Sequence, residues 1–551
     1  DAEGVVRGLV PTESLPVTPS VMLAAMSKGP NAPYQRKNKK WNCAPCFDQQ
    51  NQEEAIANFL QSITTFIHNH YATEGTPQSR SWTAAYHDTP LGGGMLDRSP
   101  DICLIDGPGC VGVKINVEHK SSVNLMGKAV KQLHDGALNC LSTQDDRLYF
   151  IGIAIANTKF RVVVHHRSGC IVSSPADINR DAVVFVRLLA GLALLGKENL
   201  GYDPSIEVHD GKRYVTVSKT RYEIMEVLHK AETINGRATV CWRCRREGDD
   251  TDYVIKSLWQ DTSRTHEETD FLTAATKAGV EGIPISVAQE VVMWQGEPIT
   301  TKSLVAALCG PKGKVPQNME DRRFTRYVMK GYGVRLSKFS SKIELISAMI
   351  DYVTALEGLH EKADIIHADI CDKNLMLKPG NGSELRRGLL IDFDYARFGS
   401  EQRTHSAVGV KTGTATFAPC DLLLFPDIFP HEPYHDLESL LYVLVWYCSV
   451  YTGPEITGRV FKILETPLGD WVSNREDHVI GALKESVMRL RPEPFNTIVF
   501  ERFLNAVIEP HFADLKTCIC EWRAIVMRRD VQAPTHAEVI EVLRRCLDAL
   551  K

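Results

Sequence analysis

Asp369 and Asn374 stand in the spacing D-x-x-x-x-N within "IIHADICDKNLML", and Asp392 follows inside the apolar run "LLIDFDYARF". Charges set beside apolar strands are costly unless they are paired, bound to a cation or turned toward a cleft. One chemistry uses all three. Phosphoryl transfer needs a carboxylate to accept the proton of the attacking hydroxyl, and oxygen ligands to hold Mg²⁺ on the phosphates, because its catalysis is positioning and charge neutralisation. In that reading Asp369 is the base, and Asn374 and Asp392 are the Mg²⁺ ligands.

His367, Asp369 and Asn374 resemble the protein-kinase catalytic loop H-R-D-x-x-x-x-N, and that resemblance implies a Lys for the α/β-phosphates on an upstream strand, a covering loop and a hinge. "YVIK" supplies Lys256, and "HEETDFLTAA" opens a helix on which Glu268 is placed to pair with it, with Glu267 as the fallback. "INGRATVCW" occupies the position of a phosphate-covering loop and keeps only Gly236 of the usual three glycines. "RYVMKGYG" is the candidate hinge, where backbone near Met329 and Lys330 would meet adenine. Asp392-Phe393-Asp394 resembles D-F-G. "GTATFAPCDLL" resembles the end of an activation segment with Asp421 in place of Glu, and Asp436 of "HDLESLLYVLVWYC" is placed to brace the catalytic loop. Singly, each match has a bland reading, a loop acid or a snorkelling lysine. Their order along one chain is what carries the signal.

"GRATVCW", "HADICDKN", "LLIDFDYA", "GTATF" and "DLESLLYVLVW" together are similar to the fungal-type protein kinase family, from about 221 to 450 and more loosely over the N-terminal domain. The resemblance implies a two-lobed fold and ATP-dependent phosphorylation of Ser/Thr hydroxyls on a protein. Departures from the general kinase pattern carry mechanism. Ala368 replaces the Arg that clasps an activation-loop phosphate, so Thr404, Ser406, Thr412 or Thr414 need no phosphorylation for activity, and Arg397 is the alternative clasp. Cys371 stands where a substrate-side Lys is common, with Lys373 the nearest replacement. Asp394 replaces a flexible Gly and stiffens its loop. Two other functions stay open: a pseudokinase scaffold, suggested by the depleted glycine loop, and a small-molecule phosphotransferase of the aminoglycoside type.

A second set lies upstream. Glu118 and Lys120 fall on one face of a strand because side chains alternate, and Asp101 begins the preceding strand. Two carboxylates can hold a divalent cation and a Lys can orient water for phosphodiester hydrolysis. The spacing and the αβββαβ-like order resemble the PD-(D/E)XK nuclease superfamily. A Glu118–Lys120 surface ion pair, or a nuclease-derived binding module, is the competing reading. The net charge of −5 and the lack of an obvious basic surface argue against nucleic acid as a partner.

The elements that must position these groups follow from periodicity. Apolar spacing from Glu53 predicts an amphipathic helix; "DICLID", "VGVKINVEHK", "LYFIGIAIA" and "KFRVVVHH" predict strands, with a helix near Lys128 to Leu141 between the second and third. "AVVFVRLLAGLALLG" is too short to span a membrane and contains Arg187, so it reads as a buried helix. "RATVCWRCR" and "DYVIKSLW" predict strands about a polar hairpin, and "ELISAMIDYVTALEGLH" a helix.

The domain reading is a mobile Pro/polar tail over 1–50, a mixed α/β domain over 51–200, a linker over 201–220, a β-rich lobe over 221–335 and a helical lobe over 336–551, an α+β protein as a whole. At 551 residues several domains are expected. "RKNKK" in the tail reads as a solvated charge run. Fifteen scattered Cys, with the pairs Cys43/Cys46 and Cys241/Cys244 lacking a second pair at zinc spacing, read as free thiols in a reducing, intracellular compartment.

Overall fold

The computed structural model describes all residues except 79, 295, 311–313, 381–384, 401–414, 455–464, 473–474 and 529–531. The chain divides into two compact units. The first comprises Asp1–Thr251, Ile255–Ser263 and Ala288–Val328; the second comprises Asp252–Val254, Arg264–Val287 and Met329–Lys551.

In the first unit, strands Ser81–Thr83, Ile102–Ile105, Val113–Lys120, Phe150–Ala156, Lys159–His166 and Gly169–Val172 form a sheet in chain order, with Ala176–Asp177 added beside Lys159–His166. Val113–Lys120 and Phe150–Ala156 pair parallel, and the helix Met126–Thr143 is the crossover that a parallel pair requires. Phe150–Ala156 is buried along its whole length, which is why "FIGIAIA" shows no alternation of polarity: both faces of the sheet are covered. Ile151, Ile153 and Ile155 share a core with Phe59, Ile63, Phe185 and Leu189 of the helices Glu53–Tyr71 and Ala182–Leu194. On the other face Ala154, Ala156 and Val163 meet Ala129 and Leu133 of the crossover helix.

Residues 1–50 are not the mobile tail that their composition suggests. Helices Ala2–Leu9 and Pro19–Ala25 bury Val5, Val6, Leu9, Met22 and Leu23, and Trp41 and Phe47 join the same core. Arg187, the charge inside the apolar helix, donates to Val10 O at 3.0 Å and Thr12 Oγ1 at 3.1 Å, and Trp41 Nε1 donates to Ile178 O at 3.0 Å. Such short helices are marginal alone and gain their stability from packing, so periodicity could not reveal them.

Residues 201–220 are likewise no linker. Ile206–His209, Lys212–Val217 and Thr220–Lys230 are successive antiparallel strands, and "HDGK" is the turn between the first two, with Asp210 at φ 50° and Gly211 at φ 75°. They continue into a second sheet in the order Ile206–His209, Lys212–Val217, Thr220–Lys230, Val240–Arg246, Tyr253–Asp261, Arg322–Lys330, Ile285–Val291. Within the first unit this sheet is fastened to the preceding α/β layer rather than separated from it. Arg326 and Asp203 form a fully buried ion pair, with Ser205 Oγ accepting from Arg326 at 2.6 Å. Asp145 accepts from Trp242 Nε1 at 2.6 Å and Arg213 Nη1 at 2.9 Å.

The second unit is mainly helical. Helix Lys342–Ala363 starts at Ser341, whose hydroxyl accepts from Glu344 N, and ends at Asp364 in the left-handed region. Helix Pro433–Val450 is buried over nearly all its surface, and helices Lys516–Val526 and His536–Leu550 complete the layer. Two small ladders frame the functional loops: Leu375–Leu377 pairs with Gly388–Leu390, and Ile365–Ile366 with Arg397–Phe398. No described helix is long and apolar enough to cross a membrane.

Candidate active site

The two ladders fix where the catalytic-loop residues sit. Strand Ile365–Ile366 leads directly into His367, which is fully buried; its Nε2 lies 3.1 Å from Ile391 O and its ring 4.9 Å from that of Phe393. His367 therefore ties the loop to the Asp392-Phe393-Asp394 segment. The next peptide is held from below. Asp436, in the first turn of helix Pro433–Val450, accepts from His367 N at 3.0 Å and Ala368 N at 3.2 Å, as its position in the sequence suggests. Burial pushes the Asp436 carboxyl up, but His431, 2.8 Å away, His367 and the Ala368 N–H outweigh it and hold the group below the usual carboxylate range. His431 in this role has no signal in the sequence. Ala368 and Asp392 both carry left-handed backbone, φ 62° and 69°, a strained conformation for residues with a Cβ. The bracing by Asp436 and His367 pins the loop on either side of that strain.

Beyond Ala368, Asn374 Nδ2 donates to Asp369 O at 2.9 Å and Asp369 Oδ2 at 3.1 Å, while Ile391 N donates to Asn374 O at 3.0 Å. With its amide nitrogen committed to Asp369, the end of Asn374 suited to a cation is Oδ1. Phe393 N donates to Glu268 Oε1 at 3.1 Å, and one carboxylate oxygen each from Glu268, Asp392 and Asp394 lie within 4.8 Å of one another. The donor set is all oxygen, which suits Mg²⁺. Asp394, read from sequence only as a stiffer replacement for Gly, thus adds a third carboxylate beside Asp392. Its carbonyl accepts from Arg264, whose guanidinium lies 5.3 Å from the Tyr395 ring.

Glu268 is buried at the start of helix Glu268–Lys277, whereas Glu267 is its N-cap, with Glu267 N donating to Asp270 Oδ2 at 2.9 Å. Lys256, in the first unit, is buried on strand Tyr253–Asp261, and Gly236 sits at φ 96° in the loop between Thr220–Lys230 and Val240–Arg246. Met329 and Lys330 close strand Arg322–Lys330, Met329 buried and Lys330 exposed. Burial and then Asp369 push the Cys371 thiol up to about 12, so it offers the substrate no charge, and Lys373 is exposed. Arg397, the alternative clasp, donates to His431 O. Thr404, Ser406, Thr412 and Thr414 lie outside the described residues.

In the first unit the upstream set does come together. Asp101 Oδ2 accepts from His119 N at 2.7 Å and from Lys120 Nζ at 3.1 Å. Lys120 Nζ lies 3.7 Å from Glu118 Oε2, which is buried and accepts no hydrogen bond among the described residues. Burial, then the Asp101 charge, raises the Glu118 carboxyl well above its usual range. Glu118 also lines a recess of about 20 Å³ with Pro100, Asn116, Gln132 and Asp135, room for a single water-sized occupant.

The buried loop, its acidic set and its paired ladders are the frame of a phosphotransferase. The family model described as fungal protein kinase matches residues 110–448, more than half the chain, and the chain belongs to that family. A comparison with curated proteins finds no match. The matched span contains Glu118, Lys120, Lys256, Glu268 and the whole catalytic loop, and leaves out Asp101.

Proposed function

We propose that this kinase transfers the γ-phosphoryl group of ATP to Ser or Thr hydroxyls of a protein, with Asp369 as base. The observation that carries this is the hydrogen-bonded Asp369–Asn374 pair, held on a loop whose backbone is braced by Asp436. The hydroxyl oxygen forms its bond to the γ-phosphorus, the bond from that phosphorus to the β–γ bridging oxygen breaks, and the hydroxyl proton passes to Asp369. Asp392 and Asn374 Oδ1 are the residues that would hold Mg²⁺, which when bound neutralises phosphate charge. Lys256 would bind the α/β-phosphates, Glu268 would orient Lys256, and backbone near Met329 and Lys330 would receive adenine. Incubating the full chain with labelled ATP, Mg²⁺ and a generic protein, followed by phosphoamino-acid analysis, tests it. Label on phosphoserine or phosphothreonine that disappears in Lys256→Met supports the reading. ATP binding without transfer would instead indicate a scaffold, and transfer only to small aminoglycoside-like acceptors a small-molecule phosphotransferase.

A second reading concerns Asp101, Glu118 and Lys120, favoured by the buried Glu118 oxygen that accepts no hydrogen bond beside the recess. There we propose a divalent-cation site of a nuclease-derived module that binds a partner rather than cleaves nucleic acid. Because residues 1–50 share its core, the full chain is the proper sample. In an Asp392→Asn background, Mg²⁺ or Mn²⁺ should still raise the melting temperature, since a ligand bound only to the folded state stabilises it. Adding Asp101→Asn should abolish the rise. No rise in the single variant reduces the set to an ion pair.

A further inference from the structure

The loop Ala231–Thr239, between the strands Thr220–Lys230 and Val240–Arg246, holds one glycine where nucleotide-covering loops are rich in them. It is nonetheless well fastened, and the fastening comes from the α/β layer upstream in the same unit. Arg167, buried in the turn between strands Lys159–His166 and Gly169–Val172, donates through Nη1 to Thr233 O at 3.0 Å and Ile234 O at 3.3 Å. Gly236 N donates back to Arg167 O at 3.0 Å. The guanidinium is itself fixed by Nη2 donating to Arg147 O at 3.0 Å. A second, apolar anchor is independent of these bonds: Ile234 at the loop tip packs against the cluster of Leu91, Cys103, Cys110, Val113, Ala137 and Phe150. At the loop's base Lys230 Nζ donates to Thr143 O at 2.7 Å, and Trp259 N donates to Arg237 O at 2.8 Å.

A glycine-rich loop pays for its freedom in ordering entropy each time it closes on phosphate. Here the two-point anchor has already removed that freedom, with Gly236 and Ala238 held at φ 96° and 44°. Resting on the ATP-dependent kinase reading above, we infer that Arg167 is a positioning residue for nucleotide binding. The upstream α/β layer acts as a latch that presets the phosphate-covering loop. This gives the upstream layer a part in catalysis whatever its own acidic set does, and it accounts for the missing glycines: a braced loop has no use for them.

The test uses the full chain with Arg167→Ala and, because that change strips a buried guanidinium, the gentler Ile234→Ser at the half-buried tip. Both should speed amide hydrogen exchange across 231–239 while Ile234→Ser leaves the melting temperature unchanged. Both should raise KM for ATP about tenfold with kcat within about twofold, the split that losing a preset binding conformation produces. KM for the protein acceptor should not move. Normal transfer by the wild type with an unmoved or lowered ATP KM in Ile234→Ser overturns the latch and leaves the kinase reading standing. Absence of transfer by the wild type overturns both.

Discussion

Two acidic sets sit beside apolar strands in this chain, one around Asp369 and one around Asp101, and they are held in different ways. Around Asp369 backbone and amide N–H groups donate to three of the carboxylates: Asp436 accepts from His367 N and Ala368 N and also meets His431 at 2.8 Å, Glu268 accepts from Phe393 N, and Asp369 from the Asn374 amide. Bonds from N–H donors hold the geometry of these groups without cancelling their charge. Around Asp101 a lysine of the same strand reaches both acids, and the set is largely self-neutralised. The lesson is that co-located acids alone say little; what pairs them decides whether they are poised for a ligand.

The largest effect should break this contrast if it is wrong. Asp369→Asn keeps the shape and the bond to Asn374 but removes the proposed base, and should lower the phosphoryl-transfer rate by roughly two to four orders of magnitude with ATP affinity nearly unchanged. Wild-type turnover in this variant would put the Asp369 set on the same footing as the Asp101 set.

Asp436→Ala tests the bracing itself. It leaves two buried N–H groups and His431 without their acceptor, and denaturant unfolding should show a loss of about 3–5 kcal/mol, the usual cost of removing one partner from a buried network. A loss below about 1 kcal/mol would mean that the strained Ala368 backbone is held by something else.

Lys120→Met should sharpen the other side of the comparison. With the cation gone, Asp101 and Glu118 face each other, and without metal the chain should lose about 1–3 kcal/mol, part of the cost being avoided because Glu118 can keep a proton. Saturating Mg²⁺ should restore more stability to this variant than it adds to the wild type, measured in the Asp392→Asn background. An equal metal increment in both would show that Lys120 and a cation do not compete.

The smallest effect concerns Lys484, a fully buried lysine bonded to backbone carbonyls. Its Nζ donates to Ala415 O and Ala418 O at 2.8 Å each, and lies 4.3 Å from the Tyr442 ring. Burial pushes its pKa down to about 7, against smaller upward pulls from Cys420 and Glu438. Between pH 7 and the ordinary lysine range the unfolded chain holds this proton and the folded chain does not, so stability rises with pH there. From pH 7 to 8.5 the wild type should gain about 1–2 kcal/mol relative to Lys484→Met. Parallel stability curves for the two proteins would show that Lys484 stays charged in the fold.

The reach of the sequence differs between these regions for a physical reason. His367, Asp369, Asn374 and Asp392 were legible because their chemistry is concentrated in one short loop and one strand end, and Asp436 because it falls in a recognisable buried helix. The long helices were legible from a 3.6-residue period, and strands such as Phe150–Ala156 from a run of apolar residues, signals carried within the element itself. Helices Ala2–Leu9 and Pro19–Ala25 were not, since each has barely two turns and declares itself only by what it packs against. Nor were the strands of 201–220, whose turn residues read as linker when their partners in the sheet are unknown.

By itself, then, the sequence singled out the candidate side chains for phosphoryl transfer, because local order along the chain specifies them. Only the tertiary structure decided which neutral donors brace them, that Asp394 lies beside Asp392 and Glu268, that Lys120 bridges Asp101 and Glu118, and that Arg167 holds the loop around Gly236. The longest of those contacts join residues far apart in the chain, and one across 69 positions, from Gly236 to Arg167, leaves no periodicity for a reader of the sequence to find.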